Sequence, residues 1–113
     1  MQISFDGYKS PLKTLWRKGK LKGVTRGLYG DILTKENLSL DHLLPISKGG
    51  KTVMSNLALA SKAQNEARGN KDLKEVLSQK QAIAYIKQFA GNREMHPYIN
   101  DFLRTLEKLG VIR

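Results

Sequence analysis

The chain predicts an α+β fold, in which a strand–loop–strand–helix unit at residues 38–72 lies between helical segments on either side. Three observations predict it. Leu38-Ser39-Leu40-Asp41-His42-Leu43-Leu44 and Leu57-Ala58-Leu59-Ala60 are short, apolar-rich runs of strand length, separated by turn-forming residues. Ser61 follows the second run and opens a helical pattern that closes at Gly69. Residues 73–113 then carry apolar side chains at three- and four-residue spacing. One domain over 1–113 is expected, with 1–37 as a basic helical region, 38–72 as the central unit and 73–113 as C-terminal helices.

In chain order, Ser10-Pro11 has the form of an N-cap followed by proline at the first helical position, with Leu12, Leu15 and Trp16 on one face. Gly19 and Gly23 break that short helix, and Leu28, Tyr29, Ile32 and Leu33 fit the inward stripe of a second. Pro45 stops the first strand, and Ser47-Lys48-Gly49-Gly50-Lys51 reads as loop. The helix capped by Ser61 carries Ala63, Gln64, Asn65 and Ala67. Asp72-Leu73-Lys74-Glu75 has the form of a capping box, opening a helix with Val76, Leu77, Ile83, Ile86 and Phe89 that ends at Gly91-Asn92. Pro97 starts a last helix with Ile99, Phe102, Leu103 and Leu106 on one face, and Gly110-Val111 suits a Schellman-type stop.

Composition narrows the function. Twenty Lys and Arg against ten Asp and Glu leave a net charge of +10, which implies a polyanionic partner such as nucleic acid. Between Asp6 and Asp31 there is no acid, yet Lys9, Lys13, Arg17, Lys18, Lys20, Lys22 and Arg26 all fall there, interleaved with Tyr8, Trp16 and Tyr29. Stacking and phosphate contact could share such a surface, which makes Arg17, Lys18, Lys20, Lys22 and Arg26 candidate DNA contacts. The alternative is a core use of the aromatics, with lysines reaching past them to solvent. With no cysteine, disulfides and thiolate zinc sites are excluded. No apolar run approaches the roughly 18 residues of a membrane span. The opening Met1-Gln2-Ile3-Ser4-Phe5-Asp6 has no signal-peptide pattern, so a cytoplasmic protein with no membrane partner is expected.

Four polar residues recur around the central unit: Asp41, His42, Asn56 and Asn65. Asp41-His42-Leu43-Leu44-Pro45-Ile46-Ser47-Lys48-Gly49-Gly50 resembles the first half of an HNH nuclease motif. Ser55-Asn56-Leu57-Ala58-Leu59 resembles its middle, and Gln64-Asn65-Glu66-Ala67-Arg68-Gly69-Asn70-Lys71 its final helix, in the variant with asparagine as the last letter. The resemblance covers residues 38–72 and implies a ββα-metal core and a metal-dependent DNA endonuclease. By the same resemblance His42 is the general base, and Asn56 orients the loop that aims it. Asp41 and Asn65 are the implied metal ligands. Their hard oxygens suit Mg²⁺, with Mn²⁺ as a substitute, better than zinc. Lys48, Lys51, Arg68 and Lys71 are candidate phosphate contacts.

Neighbours in a regular strand point to opposite faces, yet Asp41 and His42 must serve one site. Either the hairpin is strongly twisted or irregular near Pro45 or a helix sits over the strand's end, and such distortion is expected. Unlike many relatives, the chain has no paired cysteines around the motif, so flanking segments must hold the core together. One site per chain means that a double-strand break needs a homodimer or two successive cuts by a monomer. Small free-standing members of this family are often phage or mobile-element proteins. A non-catalytic nucleic-acid-binding module on the same fold is the alternative reading. A structural RNA-binding protein ranks behind it, since charge and size alone suggest it.

Overall fold

The sheet of the computed structural model, which describes residues 11–113, has two antiparallel strands, β1 (Leu38–His42) and β2 (Leu57–Ser61). Among the described residues five helices lie around this hairpin: α1 (Pro11–Arg17), α2 (Lys62–Arg68), α3 (Leu73–Val76), α4 (Gln79–Lys87) and α5 (His96–Lys108). The whole is an α+β fold. Register runs evenly from Leu38 opposite Ser61 to His42 opposite Leu57, with no bulge. Among the described residues no helix is long and apolar enough to cross a membrane.

An isolated two-stranded hairpin is marginal in water, and both of its edges expose unpaired backbone groups. Here both edges are covered. Away from β1, the Leu59 carbonyl accepts from the Leu28 amide at 2.9 Å, and the Leu59 amide donates to the Tyr85 hydroxyl at 3.1 Å. The Tyr98 hydroxyl donates to the Leu57 carbonyl at 2.8 Å, and the Ser61 amide donates to Asp31 Oδ2. On the β1 side, α2 supplies the partners: Asn65 Nδ2 donates to the Leu40 carbonyl at 2.9 Å and Arg68 Nη1 to that of His42 at 2.7 Å. All five residues of β2 are buried, as a strand enclosed on every side must be.

The C-terminal helices supply the bulk of the core. Tyr85, Phe89, Tyr98 and Phe102 pack ring against ring, with centroids 5.2–5.7 Å apart. Leu106 and Leu12 are fully buried with them, and α5 also packs against the 3₁₀ turn Met54–Asn56 that leads into β2. α5 stops in the expected Schellman pattern: the Val111 amide bonds the Leu106 carbonyl and the Gly110 amide that of Glu107, with Gly110 at φ +78°. Ser61 caps α2 by accepting from the Gln64 amide, and Gly69 ends it.

Three local expectations change. The stretch 28–33 is not helical: it is a turn closed by an Arg26–Ile32 β-bridge, and Ile32 stands 62 % exposed. Gly30, at φ +86°, reverses the chain there, and the Asp31 side chain is spent on the sheet edge. Asp72 does not cap through its side chain, because it pairs with Lys48; α3 is a single turn. The capping box lies at Ser78 and Gln81 and opens α4. The Ser10 cap lies outside the described residues.

Between α1 and β1 the chain has little regular structure, and side-chain amides hold it. Gln88 accepts from the Thr25 and Arg26 amides at 3.0 and 2.9 Å and donates back to the Arg26 carbonyl. Asn92 clasps both backbone groups of Lys22 in the same way, and the Trp16 indole donates to the Val24 carbonyl at 2.8 Å. Lys20, Lys22 and Arg26 are left exposed.

The edge-capping role of Tyr98 makes a test. Tyr98→Phe leaves the buried Leu57 carbonyl without its partner and should lower unfolding free energy by about 1–3 kcal/mol in urea titration. An unchanged midpoint would show that the edge needs no cap.

Candidate active site

Three of the four motif residues, Asp41, His42 and Asn65, meet at the end of the hairpin where α2 approaches β1, and Asn56 stands behind them. An open pocket of about 220 Å³ is lined there by Leu40, Asp41, His42, Ser47, Asn65 and Asn70, among others. The strand reaches this arrangement without distortion. The distortion expected from the sequence is absent, because α2 runs along the free edge of β1 and brings its last turn to the strand's end.

His42 is half-buried, and its Nε2 lies 3.0 Å from the Thr52 hydroxyl. Burial pushes the imidazole below its ordinary pKa of 6.5, Asp41 pulls it back, and Arg68 lowers it further. The ring is therefore neutral near pH 7 and able to take up a proton. When Thr52 accepts from Nε2–H, the basic lone pair is on Nδ1.

Asn56 is buried and does not touch the imidazole. Its Oδ1 accepts from the Leu44 amide at 2.8 Å, while Nδ2 donates to the Leu44 and Lys51 carbonyls at 3.0 and 2.9 Å. It thus ties the loop 44–51 shut behind His42, as a positioning residue. Gly50 lets that loop close: a Cβ there would sit 1.8 Å from the Leu44 carbonyl oxygen.

Asn65 Nδ2 is committed to Ser39 Oγ and the Leu40 carbonyl, both at 2.9 Å, which leaves the amide oxygen as the end available to a ligand. Asp41 is held differently. It is 2 % exposed, its Oδ1 accepts from Arg68 Nη1 at 2.6 Å, and its Oδ2 accepts from the Tyr29 hydroxyl. Burial holds the carboxyl above its ordinary range, and Tyr29 and Arg68 offset only part of that rise. Tyr29 is raised in turn, chiefly by burial and the Asp41 charge, and stays a donor.

Arg68 is not a surface phosphate contact. It is 3 % exposed, and besides Asp41 it donates to the carbonyls of His42 and Leu43 at 2.7 Å each and of Lys71 at 3.1 Å. The other cations expected at phosphates are on the surface: Lys51, Lys71, Arg17, Lys18, Lys20, Lys22 and Arg26 are exposed, and Arg26 also bonds the Gly30 carbonyl. Lys48 is exposed too, paired with Asp72 at 2.6 Å, where it holds the Asp72 carboxyl below the usual range. A surface pair of this kind is easily exchanged.

The metal expectation can be tested against the donors present. The pocket is lined by Asn65, Ser47 and Asn70 with a single imidazole, and by Asp41, whose two oxygens already accept from Arg68 and Tyr29 and could reach a cation only through their remaining lone pairs. In kind this hard-oxygen set suits Mg²⁺ or Mn²⁺ rather than zinc. No group of three or more acidic, histidine or cysteine side chains forms a closed cage among the described residues. Sequence reasoning missed two contributors. Tyr29 stood out only as an aromatic in a basic stretch, and Thr52 carries no signal in the sequence at all. Comparison of the chain with protein-family models, curated proteins and solved structures gives no match.

Removing one member of a buried ion pair strands the other. Arg68→Met should cost about 3–5 kcal/mol of stability. Adding Asp41→Asn should recover part of that loss, so the double variant falls short of the sum of the singles in denaturant titration. Strict additivity would contradict the pairing.

Proposed function

We propose that the chain is a metal-dependent DNA endonuclease of the HNH type, with residues 38–72 as its ββα-metal core. One observation carries the reading: the neutral imidazole of His42, the amide oxygen of Asn65 and the carboxylate of Asp41 all border one open pocket. These are the residues the motif resemblance singles out, and β1 and α2 bring them together from positions far apart in the chain.

In this reading His42 accepts the proton of a water aimed at the phosphorus, with Thr52 holding the opposite ring nitrogen and Asn56 closing the loop behind it. Asn65 and Asp41 would hold the divalent cation, which supplies charge neutralisation at the phosphate and at the leaving oxygen. Asp41 would do so while anchored by Arg68, so that its direction is set before substrate arrives. Exposed Lys48, Lys51 and Lys71 lie in the loops beside the pocket and suit the flanking phosphates.

A second reading is favoured by one observation, the engagement of both Asp41 oxygens by Tyr29 and Arg68. On that view the chain is a DNA-binding module whose carboxylate is structural, and its binding ignores divalent metal.

Cleavage of supercoiled plasmid separates the two. The nuclease reading predicts nicking or linearisation in Mg²⁺ or Mn²⁺, none in EDTA, and loss of cutting in His42→Ala with DNA binding kept. Because burial holds the imidazole below its ordinary value, the loss of rate on acidification should set in at lower pH than for an ordinary histidine base. Cutting by His42→Ala at the wild-type rate would refute the assignment.

A further inference from the structure

We propose that a second cleft, between Pro45, the start of α3 and the end of α5, is a phosphate-binding groove for the DNA strand beside the pocket at His42, with Lys74 and Lys108 as its cations. The inference rests on the nuclease reading for what occupies that pocket. The groove itself is inferred from its own residues.

The cleft has a volume of about 210 Å³. It is lined by Leu44 and Pro45 from the loop after β1, by Asp72 and Lys74 around the start of α3, and by Lys108 and Leu109 at the end of α5. Pro45 is buried and lines both this cleft and the candidate active site, so the two openings are neighbours. Packing brings the lysines together. A Cβ placed on Gly110 would lie 3.6 Å from Lys74 Cδ, so the lysine stem rests against the stop of α5. Both lysines are exposed.

The wall of the cleft is fixed before any ligand arrives. The Leu43 carbonyl accepts from Arg68 Nη2 at 2.7 Å, and Asn56 takes both backbone groups of Leu44. With those groups spent, what the cleft offers a ligand is charge. Its one acid is already answered, since Asp72 pairs with Lys48 at 2.6 Å. Among the described residues no ion pair includes Lys74 or Lys108, and their sequence neighbours Glu75 and Glu107 pair with neither. Two cations are therefore in excess. Lys108 also stands in the last turn of α5, where a cation favours the helix dipole. That accounts for one lysine and not for the second, which reaches the same cleft from another helix.

Position argues for a nucleic-acid backbone. A strand whose phosphodiester lies over His42 carries further phosphates to either side, and the neighbouring cleft is where one of them can be held by cations without base contact. An anionic membrane is flat, whereas these lysines border a concavity.

The test measures binding without cleavage. A short labelled DNA duplex is titrated in EDTA at several KCl concentrations with wild type, with K74Q/K108Q, and with a control, K80Q/K87Q, that removes equal charge from α4 and lines neither cleft. Thermal unfolding checks that each variant is folded. The groove predicts weaker binding and a log–log salt slope shallower by about 1–2 in K74Q/K108Q, near 0.9 per lost phosphate contact, with a smaller change in the control. K74R/K108R keeps the charge and should keep the slope. An unchanged slope in K74Q/K108Q overturns the proposal. So does an equal effect of the control, which would mean that only net charge matters, or an equally shallow slope in K74R/K108R. If K74Q/K108Q fails to fold, amide shifts of the ¹⁵N-labelled wild type on adding the duplex decide. Movement at Lys74 and Leu109 supports the groove, and none there overturns it. Loss of binding to phosphatidylserine vesicles with DNA binding intact would overturn it in favour of a membrane. A lost slope in a chain that never cuts DNA keeps the groove and removes the nuclease reading, while cutting with an unchanged slope does the reverse.

Discussion

The Arg68 guanidinium is the joint on which this small fold turns. It lies in the last turn of α2, is almost wholly buried, and bonds one carboxylate and three backbone carbonyls. Two of those carbonyls belong to the end of β1 and the residue after it, so the helix is fastened to the strand where the pocket opens. A buried cation is costly unless each of its donors finds an acceptor. The geometry of Asp41, and through it of Tyr29, follows from that requirement. The anchor also sets the direction of the candidate site: α2 lies along the open edge of β1, presenting Asn65 to the pocket.

Side chains do elsewhere what a longer sheet or a structural metal would do. Asn56 closes the loop behind His42, Gln88 and Asn92 hold the basic segment, and Tyr85 and Tyr98 cap the inner strand. Burial and the bond to Tyr98 act oppositely on the Tyr85 hydroxyl, and burial wins, pushing it up to about 12. It stays protonated and bonded. These contacts join residues up to 70 positions apart and tie the basic segment to α4 and the turn after it. A hairpin too small to stand alone is thereby enclosed without a single cysteine.

What could be read in the sequence was local. The strand runs, the Ser61 cap, Gly69 and the Schellman end at Gly110 depend on residues within a few positions of one another, and each lies where the pattern puts it. The stretch 28–33 misled because its apolar spacing fits a helix, while Gly30 and the demand of the sheet edge for Asp31 decide otherwise. At the site, Asp41, His42 and Asn65 could be named from the motif and do border one pocket. Arg68 could not be placed from sequence, since an arginine beside a glycine and a lysine reads as a surface cation and its burial is a tertiary fact. The same holds for Tyr29 and Thr52, whose roles depend on which distant element the fold sets beside them.

If the pocket between α2 and β1 takes a hard divalent cation, as proposed, a Mn²⁺ titration of the ¹⁵N-labelled protein will show it. Paramagnetic broadening should appear first at the amides of His42, Ser47 and Asn65 and spare α4, for instance at Ile83. Broadening spread evenly over the surface, or centred on another acid such as Glu36, would contradict the account.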